Sequence, residues 1–355
     1  MAHKVTIEPL GREINVGDNQ TILDACLRQG IWLPHACAHG TCGTCKVQLL
    51  EGSVQHQGAS EFALMDYERE EGMALVCSAR PVTDVVLEAD VEADPEAVFH
   101  PVKDYNATVE TVEEPAQWVR RFILKLDNGP ILFMPGQYIQ VEVPQPGKPP
   151  LKRCYSIASS PRDGTRIELQ IKYTPGGRAT PYIFEELKEG SKIKFSGPYG
   201  FFFLRKNGHE PVIFLAGGTG LAPIKSMLRV ATEENLPRRL TLIHGVRSQA
   251  DLYDYDFFRE LEKINPNFRY IPVLSARDPE KAWDGEEGFV HEALGRLPSF
   301  KGHKAYLCGP PMMVDACLTT LMKGRLFEDS IYCENFFTEE DKSGPLKRSP
   351  LFKRV

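Results

Sequence analysis

Residues 37–45 read CAHGTCGTC, the most informative stretch in the N-terminal third of the chain. Cys37, Cys42 and Cys45 form a C-x4-C-x2-C pattern, and Cys77 follows at a distance after the apolar run GMALV. This spacing is typical of plant-type [2Fe-2S] sites, in which one loop brings three thiolates to two irons and a fourth arrives from elsewhere. We therefore predict that these four cysteines are the metal ligands.

Two other metal sites have to be weighed against this cluster. A zinc site with four cysteines usually contains two C-x2-C pairs, and only one is present here. Cys37 and His39 resemble the first half of a Rieske motif, but no second half with a paired histidine follows. We expect His39 to be a loop residue, and we expect Gly40 and Gly43 to let backbone N–H groups approach the cluster sulfides.

The composition is that of an ordinary soluble globular protein. With 355 residues, 42% of them hydrophobic and 25% charged, the chain is long enough for two or three domains of about 150 residues. No apolar run approaches the roughly 18 residues of a membrane span, and the N-terminus lacks the apolar core of a signal peptide. Nine cysteines, three of them tightly clustered, favour metal binding over disulfides in a reducing compartment. We predict a cytoplasmic protein.

Charge is unevenly distributed along the chain. Residues 1–100 carry 16 Asp and Glu against 6 Lys and Arg, a net charge of -10, whereas the whole chain is only -6. An acidic N-terminal third argues against nucleic acid as a partner, because phosphates would repel it. The asymmetry is consistent with a protein partner that has a basic patch, or with a surface that only confers solubility.

The hydrophobic patterning predicts a multidomain protein with three fold types. Residues 1–94 read as a small mixed α+β sheet packed on one helix over ILDACLRQG, which Asn19 or Thr21 caps, and residues 95–104 read as a linker. With its cysteine motif, this segment resembles a plant-type ferredoxin domain of the β-grasp type. Short strands separated by turn residues predict an antiparallel β-barrel over residues 105–206. Strands alternating with helices predict an α/β doubly wound parallel sheet over residues 207–355, ending in a basic tail.

Three short motifs in the predicted barrel resemble those of the ferredoxin reductase superfamily. In the first, Arg153-Cys154-Tyr155-Ser156, an arginine can hold a pyrophosphate, a tyrosine ring can cover a flavin, and a serine hydroxyl can meet the hydride-accepting nitrogen. The second is a glycine turn that leads into a helix and can bind phosphate, and Gly197-Pro198-Tyr199-Gly200 is the third. The predicted flavin-binding residues are Arg153, Tyr155, Ser156, Gly176, Gly177 and Thr180.

A glycine-rich loop follows the first strand of the predicted parallel sheet. Gly217-Gly218-Thr219-Gly220 differs from the G-x-G-x-x-G fingerprint and matches the variant of the reductase superfamily, in which backbone N–H groups meet a pyrophosphate. Arg247 ends the next strand, where an adenosine ribose should lie. The nearby Asp251 would disfavour a 2′-phosphate, whereas Arg247 could accept one, and we predict NADH over NADPH. The predicted dinucleotide-binding residues are Gly217, Gly218, Thr219, Gly220, Arg247, Gly309, Pro310 and Phe336.

The C-terminal strands carry the residues that the resemblance places near the hydride path. Cys308, in the motif Cys308-Gly309-Pro310, corresponds to the nicotinamide side of the superfamily site. Glu334 begins the segment ENFF, which resembles the acidic and aromatic C-terminal segment that approaches the flavin. Either Phe336 or Phe337 could gate nicotinamide stacking. Ser156, Cys308 and Glu334 are therefore the predicted catalytic residues.

The three cofactors explain one another chemically. NADH releases two electrons together as a hydride, whereas an iron-sulfur cluster accepts one electron at a time. A flavin can take up the hydride and pass the electrons on singly, so a chain with a dinucleotide site and a cluster requires such an intermediate. We predict [2Fe-2S], FAD and NADH as the cofactors.

Over essentially its whole length, the chain resembles the reductase components of multicomponent bacterial oxygenases, in particular those of soluble diiron monooxygenases such as phenol hydroxylases. The stretches FALMDYERE, AYLCGPPMMVDA and LFKRV carry the likeness. Tyr155 stands where some members have phenylalanine, and either ring can stack on a flavin. The resemblance implies FAD rather than FMN. It also implies electron transfer from NADH to a separate diiron hydroxylase that oxidises phenol or related aromatics. The acidic charge of the N-terminal third predicts that this partner docks on the ferredoxin domain.

Two alternatives remain open at this stage. The same reductase chemistry could serve a Rieske ring-hydroxylating dioxygenase, an alkane or methane monooxygenase, or a deoxysugar dehydratase. A more distant alternative is a non-catalytic redox-sensing module. Against a non-catalytic module, the three positions expected along the hydride path carry Ser156, Cys308 and Glu334, whose side chains are suited to catalysis.

Overall fold

The computed structural model describes residues 2–91 and 94–337 and divides them into two compact units. The first unit contains the described residues up to Asp104, the short segment Gly197–Phe201, and Phe337. The second contains Tyr105–Ser196 and Phe202–Phe336. The basic tail predicted from the sequence lies outside the described residues, and the predicted domain boundaries stay predictions.

A five-stranded mixed sheet forms the core of the first unit. Its strands are β1 (His3–Glu8), β2 (Arg12–Val16), β3 (Lys46–Glu51), β5 (Met73–Leu75) and β7 (Val85–Glu88), while β4 (Val54–His56) and β6 (Ala79–Pro81) pair separately. β1 pairs antiparallel with β2 and parallel with β7, and β3 joins β7 to β5. Val5 and Ile7 are fully buried while Thr6 between them is not, as the period of a strand with one buried face requires.

One helix, α1 (Ile22–Arg28), contributes its apolar face to the core of the first unit. Its N-terminus is capped by Thr21, whose hydroxyl accepts the Asp24 N–H at 3.2 Å. Cys26 is fully buried on the apolar face, and Gly30 with φ of 73° lets the chain leave the helix. A second short helix, α2 (Asp66–Glu70), has no buried residue.

The second unit begins with a six-stranded barrel. Its strands are β8 (Lys103–Ala116), β9 (Val119–Leu126), β10 (Tyr138–Gln145), β11 (Lys148–Ser156), β12 (Arg166–Lys172) and β13 (Lys192–Tyr199), in the order β11-β10-β13-β8-β9-β12. An antiparallel bridge between Ile157 and Leu169 joins the two ends of the sheet. The helix α3 (Thr180–Glu185) packs Ile183 into the barrel core. β8 starts at Lys103, two residues inside the predicted linker.

A parallel sheet forms the rest of the second unit. The strands β14 (Val212–Gly217), β15 (Leu240–Val246), β16 (Phe268–Leu274), β17 (Glu286–Glu287), β18 (Lys304–Gly309) and β19 (Ile331–Asn335) lie in the order β17-β16-β15-β14-β18-β19. The chain runs outward from β14 to β17 and then returns to β18 on the other side of β14. This reversal is a topological switch point, and ligands of such sheets bind at the carboxyl ends of the two strands beside it.

Helices cover both faces of this sheet. α4 (Leu221–Glu233) and α5 (Tyr255–Ile264) pack in one apolar cluster, and α6 (Val290–Gly295) and α7 (Pro311–Lys323) pack in the other. The predicted fold class is therefore confirmed: a mixed α+β sheet, an antiparallel barrel and a doubly wound parallel sheet. Within residues 2–91 and 94–337, no helix is long and apolar enough to cross a membrane.

Candidate functional site

The four predicted iron ligands lie together in the first unit as two pairs of buried thiols. Cys37 and Cys42 hydrogen-bond to each other, as do Cys45 and Cys77. The bond to Cys42, together with burial, raises the pKa of the Cys37 thiol, while the same bond lowers the pKa of Cys42. Each thiol thus has a partner that could share an iron with it.

This arrangement matches a two-iron cluster better than a single ion. Two pairs of thiols are what a [2Fe-2S] cluster requires, since each iron takes two protein ligands. The donor set therefore fits the cluster, and Cys37, Cys42, Cys45 and Cys77 are the residues that would hold it.

Backbone N–H groups of the loop already point at sulfur. Cys37 Sγ accepts the N–H groups of Thr41 at 3.4 Å and Cys42 at 3.3 Å, and Cys42 Sγ accepts the N–H of Thr44 at 3.5 Å. Such donors stabilise negative charge on ligand sulfur. Gly40 has a φ of 79°, and a Cβ there would lie 3.0 Å from the Ala59 Cα. Glycine is needed at this position for both reasons.

A buried histidine next to this loop was not predicted from the sequence. His35 Nδ1 donates to the Leu33 carbonyl at 2.7 Å, which leaves Nε2 to accept the Gly200 N–H at 3.0 Å. The Trp32 ring lies beside it, with its centroid 4.5 Å from that of Phe201. In the first unit, the segment before Cys37 is thus fixed against the chain around Gly200, which belongs to the third predicted flavin motif. No spacing rule links positions this far apart.

The first flavin motif lies at the end of β11 in the second unit. Ser156 and Tyr155 are well covered, and burial raises the pKa of the Tyr155 phenol. The Tyr155 ring packs against the barrel core, and the Arg153 guanidinium donates to the Lys152 carbonyl at 3.0 Å. An arginine, an aromatic ring and a hydroxyl on one strand end form a donor set that suits a flavin dinucleotide.

The second flavin motif is a tight turn before α3. Gly176 has a φ of 71°, and a Cβ added there would meet no atom within 4 Å. The Thr180 hydroxyl accepts the Thr174 N–H at 3.0 Å and donates to the Thr174 carbonyl at 3.1 Å, and Gly177 N–H donates to the same carbonyl at 3.0 Å. The Thr180 side chain therefore holds the turn in shape, and its predicted cofactor contact stays a prediction.

The predicted nucleotide loop lies at the switch point of the parallel sheet. Gly217 ends β14, Gly218–Gly220 form a turn of 3-10 helix, and α4 follows at once. A Cβ on Gly220 would lie 2.1 Å from the Cys308 carbonyl oxygen, and one on Gly309 would lie 3.1 Å from the Gly217 Cα. The ends of β14 and β18 thus approach too closely for any side chain, and the crevice at this edge can accept a dinucleotide.

Cys308 and Glu334 are neighbours at the ends of β18 and β19. They are paired in register, and both are buried. Burial raises the pKa of Glu334 to about 8, and burial likewise raises the pKa of the Cys308 thiol. Glu334 Oε2 and Asn335 Oδ1 are buried without a hydrogen-bond partner among the described residues. Unsatisfied buried atoms of this kind indicate a place for a polar ligand.

The other predicted nucleotide residues differ in their surroundings. The Phe336 N–H donates to the Gly309 carbonyl at 3.0 Å, and its ring packs against the core. Arg247 is exposed beyond the end of β15. Asp251 Oδ2 accepts the Ser248 N–H at 3.0 Å and its hydroxyl at 2.7 Å. The Asp251 carboxylate therefore caps this turn. Because it is engaged with Ser248, its position gives weaker support for NADH over NADPH than the sequence suggested.

Two residues that were not predicted from the sequence contact the backbone of the nucleotide loop. His244 Nε2 lies 3.2 Å from the Gly218 carbonyl oxygen, and the Tyr253 hydroxyl donates to the same oxygen at 3.4 Å. Burial lowers the pKa of His244 to about 4, so the ring is neutral and donates through Nε2. A histidine inside an otherwise apolar strand, RLTLIHGV, is the signal that could have identified this role.

Comparison with known proteins gives three family matches in sequence order. A 2Fe-2S iron-sulfur cluster binding domain matches residues 5–82, an oxidoreductase FAD-binding domain matches residues 106–204, and an oxidoreductase NAD-binding domain matches residues 214–319. All three predicted cofactors are therefore confirmed.

The similar proteins include reductases of several oxygenases. The reductase component of phenol 2-monooxygenase from Pseudomonas sp. (strain CF600) is 46% identical, and the phenol hydroxylase P5 protein of Acinetobacter pittii is 47% identical, each match covering 100% of both chains. The crystal structure of an Amycolatopsis cytochrome P450 reductase superposes with a TM-score of 0.86 at 38% identity, covering 94% of this chain and 98% of that one.

Proposed function

The chain belongs to the reductase components of multicomponent oxygenases, which have the ferredoxin reductase architecture, and from this we propose that it supplies electrons from NADH to the hydroxylase of a phenol monooxygenase. The observation that carries the proposal is full-length similarity to two proteins named for phenol oxidation. The buried pairs of thiols and the nucleotide crevice at the switch point support it independently.

The first unit, the barrel and the parallel sheet each contribute a distinct part of the electron path. When bound, FAD accepts a hydride from NADH and releases the two electrons singly, and the [2Fe-2S] cluster carries one electron at a time. Arg153 would hold the pyrophosphate of FAD, and the Tyr155 ring would cover the flavin. Gly176, Gly177 and Thr180 would shape the phosphate-binding turn. In the parallel sheet, Gly217–Gly220 with Gly309 and Pro310 would admit NADH into the crevice, and Arg247 would bind its adenosine ribose.

Three residues would contact the reacting groups. The Ser156 hydroxyl would donate a hydrogen bond to the hydride-accepting nitrogen of the flavin. Glu334, with its pKa raised to about 8 by burial, keeps its proton at neutral pH and would donate a hydrogen bond to a polar group of the bound ligand. Cys308 remains a protonated thiol, because burial raises its pKa, and would lie beside the nicotinamide without competing as a nucleophile. A fourth residue, Phe336, packs its ring against the core and would gate the stacking of the nicotinamide.

A face of the first unit offers a docking site for the hydroxylase, which we propose to be a diiron protein. Phe62, Met65 and Tyr67 are exposed in the segment 61–71, where Glu61, Asp66, Glu70 and Glu71 are also exposed. The segment is tied to the cluster loop, because the Ser60 N–H donates to the Gly40 carbonyl at 2.9 Å and Glu68 binds Lys46. We name residues 61–71 the acidic face. It suits a partner with a basic rim around an apolar pocket.

Electron delivery through the acidic face should depend on salt. We expect turnover of the complete phenol-oxidising system to fall steeply as NaCl rises, whereas NADH-ferricyanide activity stays flat. The double variant Glu70→Gln, Glu71→Gln should lower turnover at low salt and flatten the salt response. The matched variant Glu13→Gln, Glu51→Gln removes two exposed carboxylates outside the acidic face and should behave as the wild type. Equal effects of both double variants would contradict docking on the acidic face.

The function itself is tested with purified protein and a phenol hydroxylase component. We expect iron, sulfide and FAD in a ratio of about 2:2:1, anaerobic bleaching of the flavin by NADH, and phenol oxidation only when both proteins are present. If NADH bleaches the flavin and the protein then reduces a Rieske dioxygenase component but not the phenol hydroxylase, the dioxygenase is the electron acceptor. A holoprotein whose flavin NADH does not bleach would overturn the reductase assignment.

A further inference from the structure

The strongest feature outside the cofactor sites is a buried ionic cluster in the second unit. Lys225, on α4, is only 2% exposed, and its ammonium group lies 2.8 Å from Glu168 Oε1 and 2.7 Å from Asp254 Oδ2. Glu168 belongs to β12 of the barrel, and Asp254 precedes α5 of the parallel-sheet lobe. One ammonium group thus joins the two folds that carry the flavin and nucleotide motifs.

Further polar groups complete the cluster. Arg121 from β9 binds Asp254 and lies 3.3 Å from Glu168, and Arg229, one turn after Lys225, binds Glu168 at 3.1 Å. The amide of Gln170 donates to both carboxylates at 2.9 Å. Two buried carboxylates are therefore held by three cations and an amide.

Stability alone does not explain such a cluster. Removing charges from water is costly, and well-packed apolar residues of similar volume often stabilise a fold equally well. Apolar side chains in contact can slide past one another, whereas hydrogen-bonded charges hold the elements that carry them in one relative position. What a buried ion cluster provides in addition is a single relative placement of the elements that it joins.

The elements joined here also contact the chain next to the two proposed cofactor sites. On the barrel side, the Glu168 carbonyl accepts the Ala158 N–H at 2.8 Å and its N–H donates to the Ser159 hydroxyl at 3.1 Å, two to three residues after Ser156. The Ser226 hydroxyl, next to Lys225, donates to the Ser159 carbonyl at 2.7 Å. The chain that follows the first flavin motif is thus bonded both to the ion cluster and to α4.

On the nucleotide side, Lys225 lies one turn into α4, whose start continues the loop Gly218–Gly220. Asp254 follows Tyr253, which donates to the Gly218 carbonyl. Because a trans peptide is planar, the Thr219 N–H points opposite to this carbonyl, so holding the carbonyl fixes the direction of the N–H. The cluster therefore reaches the loop by two routes, through α4 and through Tyr253.

We propose that Lys225 is a positioning residue that fixes the nucleotide loop against the flavin motif, through Glu168 and Asp254, at the separation hydride transfer needs. This inference rests on the proposed function, because it deepens the role of the same site. Lys225 is buried between Glu168 and Asp254, so it would act through the elements that it joins. Its loss should slow hydride transfer without emptying either binding site.

The test is Lys225→Met in the holoprotein, followed by anaerobic stopped-flow bleaching of the flavin at saturating NADH. We expect the hydride-transfer rate to fall by about 10- to 100-fold, since a displacement of about 1 Å can cost that much. Flavin content and the NADH concentration at half-saturation should stay within about threefold of the wild-type values. Lys206→Met, which removes a lysine from an exposed pair with Glu234, is the matched control and should be neutral.

If Lys225→Met does not fold, Asp254→Asn provides the second measurement, because it keeps the shape and removes one charge of the pair. A folded, flavin-loaded variant at either position that bleaches at the wild-type rate would overturn the proposal. A variant that loses NADH affinity instead of rate would also overturn it, since the residue would then support binding only. Failure of the wild type to bleach would instead refute the proposed function, so the two failures are distinguishable.

Discussion

Replacing Cys42 with serine is expected to abolish the visible absorbance of the cluster and the NADH-driven reduction of cytochrome c, while NADH-ferricyanide activity persists. Cys42 is one of the paired thiols and is the acceptor for the Thr44 N–H, and a serine hydroxyl is too weak an acid to replace a thiolate ligand. Ferricyanide accepts electrons from the flavin and does not need the cluster. Iron and sulfide analysis with both activity assays measures the outcome.

The matched control is Cys26→Ala. Cys26 is a buried thiol in the same unit, on α1, and behaves as a small apolar residue outside the cluster loop. We expect this variant to retain iron and both activities. Loss of ferricyanide activity along with cluster absorbance in Cys42→Ser would contradict modular electron flow, and retained cluster absorbance would contradict the ligand assignment.

Changing Gly220 to alanine is expected to have an equally large effect on the nucleotide side. The added methyl group would lie 2.1 Å from the Cys308 carbonyl oxygen and 2.8 Å from the Gly309 nitrogen. Both are backbone atoms at the end of a buried strand, so they cannot swing aside as a flexible side chain would. We expect NADH bleaching of the flavin to slow by about 100-fold and the lobe to lose about 1–3 kcal/mol of unfolding free energy.

Gly295→Ala is the control for this substitution. Gly295 ends α6 in the same lobe, and a Cβ there would meet only Thr320 Cγ2 at 3.9 Å, an ordinary contact. This variant should bleach and unfold as the wild type does. The two variants are compared by stopped-flow spectroscopy and thermal denaturation. A normal bleaching rate in Gly220→Ala would show that β14 and β18 separate easily and that the crevice is not built as described.

Much of the site could be predicted because the residues that carry it are close in sequence. The CAHGTCGTC loop and the GGTG loop each place their groups by local geometry, and glycine is required where φ is positive or where backbones touch, as at Gly40 and Gly220. Register could not be predicted in this way. The pairing of Cys308 with Glu334 depends on the order of β18 and β19 in the sheet, which spacing along the chain does not encode.

Some elements were missed or displaced for equally physical reasons. The first half of β11 contains Pro149 and Pro150, which argue against a strand in sequence, yet the hairpin with β10 holds them in one. α6 is only six residues long, too short for a helical period to stand out. The acidic character of the first hundred residues was evident from counting, whereas the exposure of Phe62, Met65 and Tyr67 beside the acids was not.

Spacing along the chain was enough to indicate the chemistry of this protein, because ligand identity, glycine placement and the order of motifs are local properties. How the parts are held became evident only in the fold, which places the thiols in two pairs, His244 and Tyr253 against the Gly218 carbonyl, and Lys225 between Glu168 and Asp254. These contacts join residues far apart in the chain, and burial, which gives them their strength, exists only once the chain has folded.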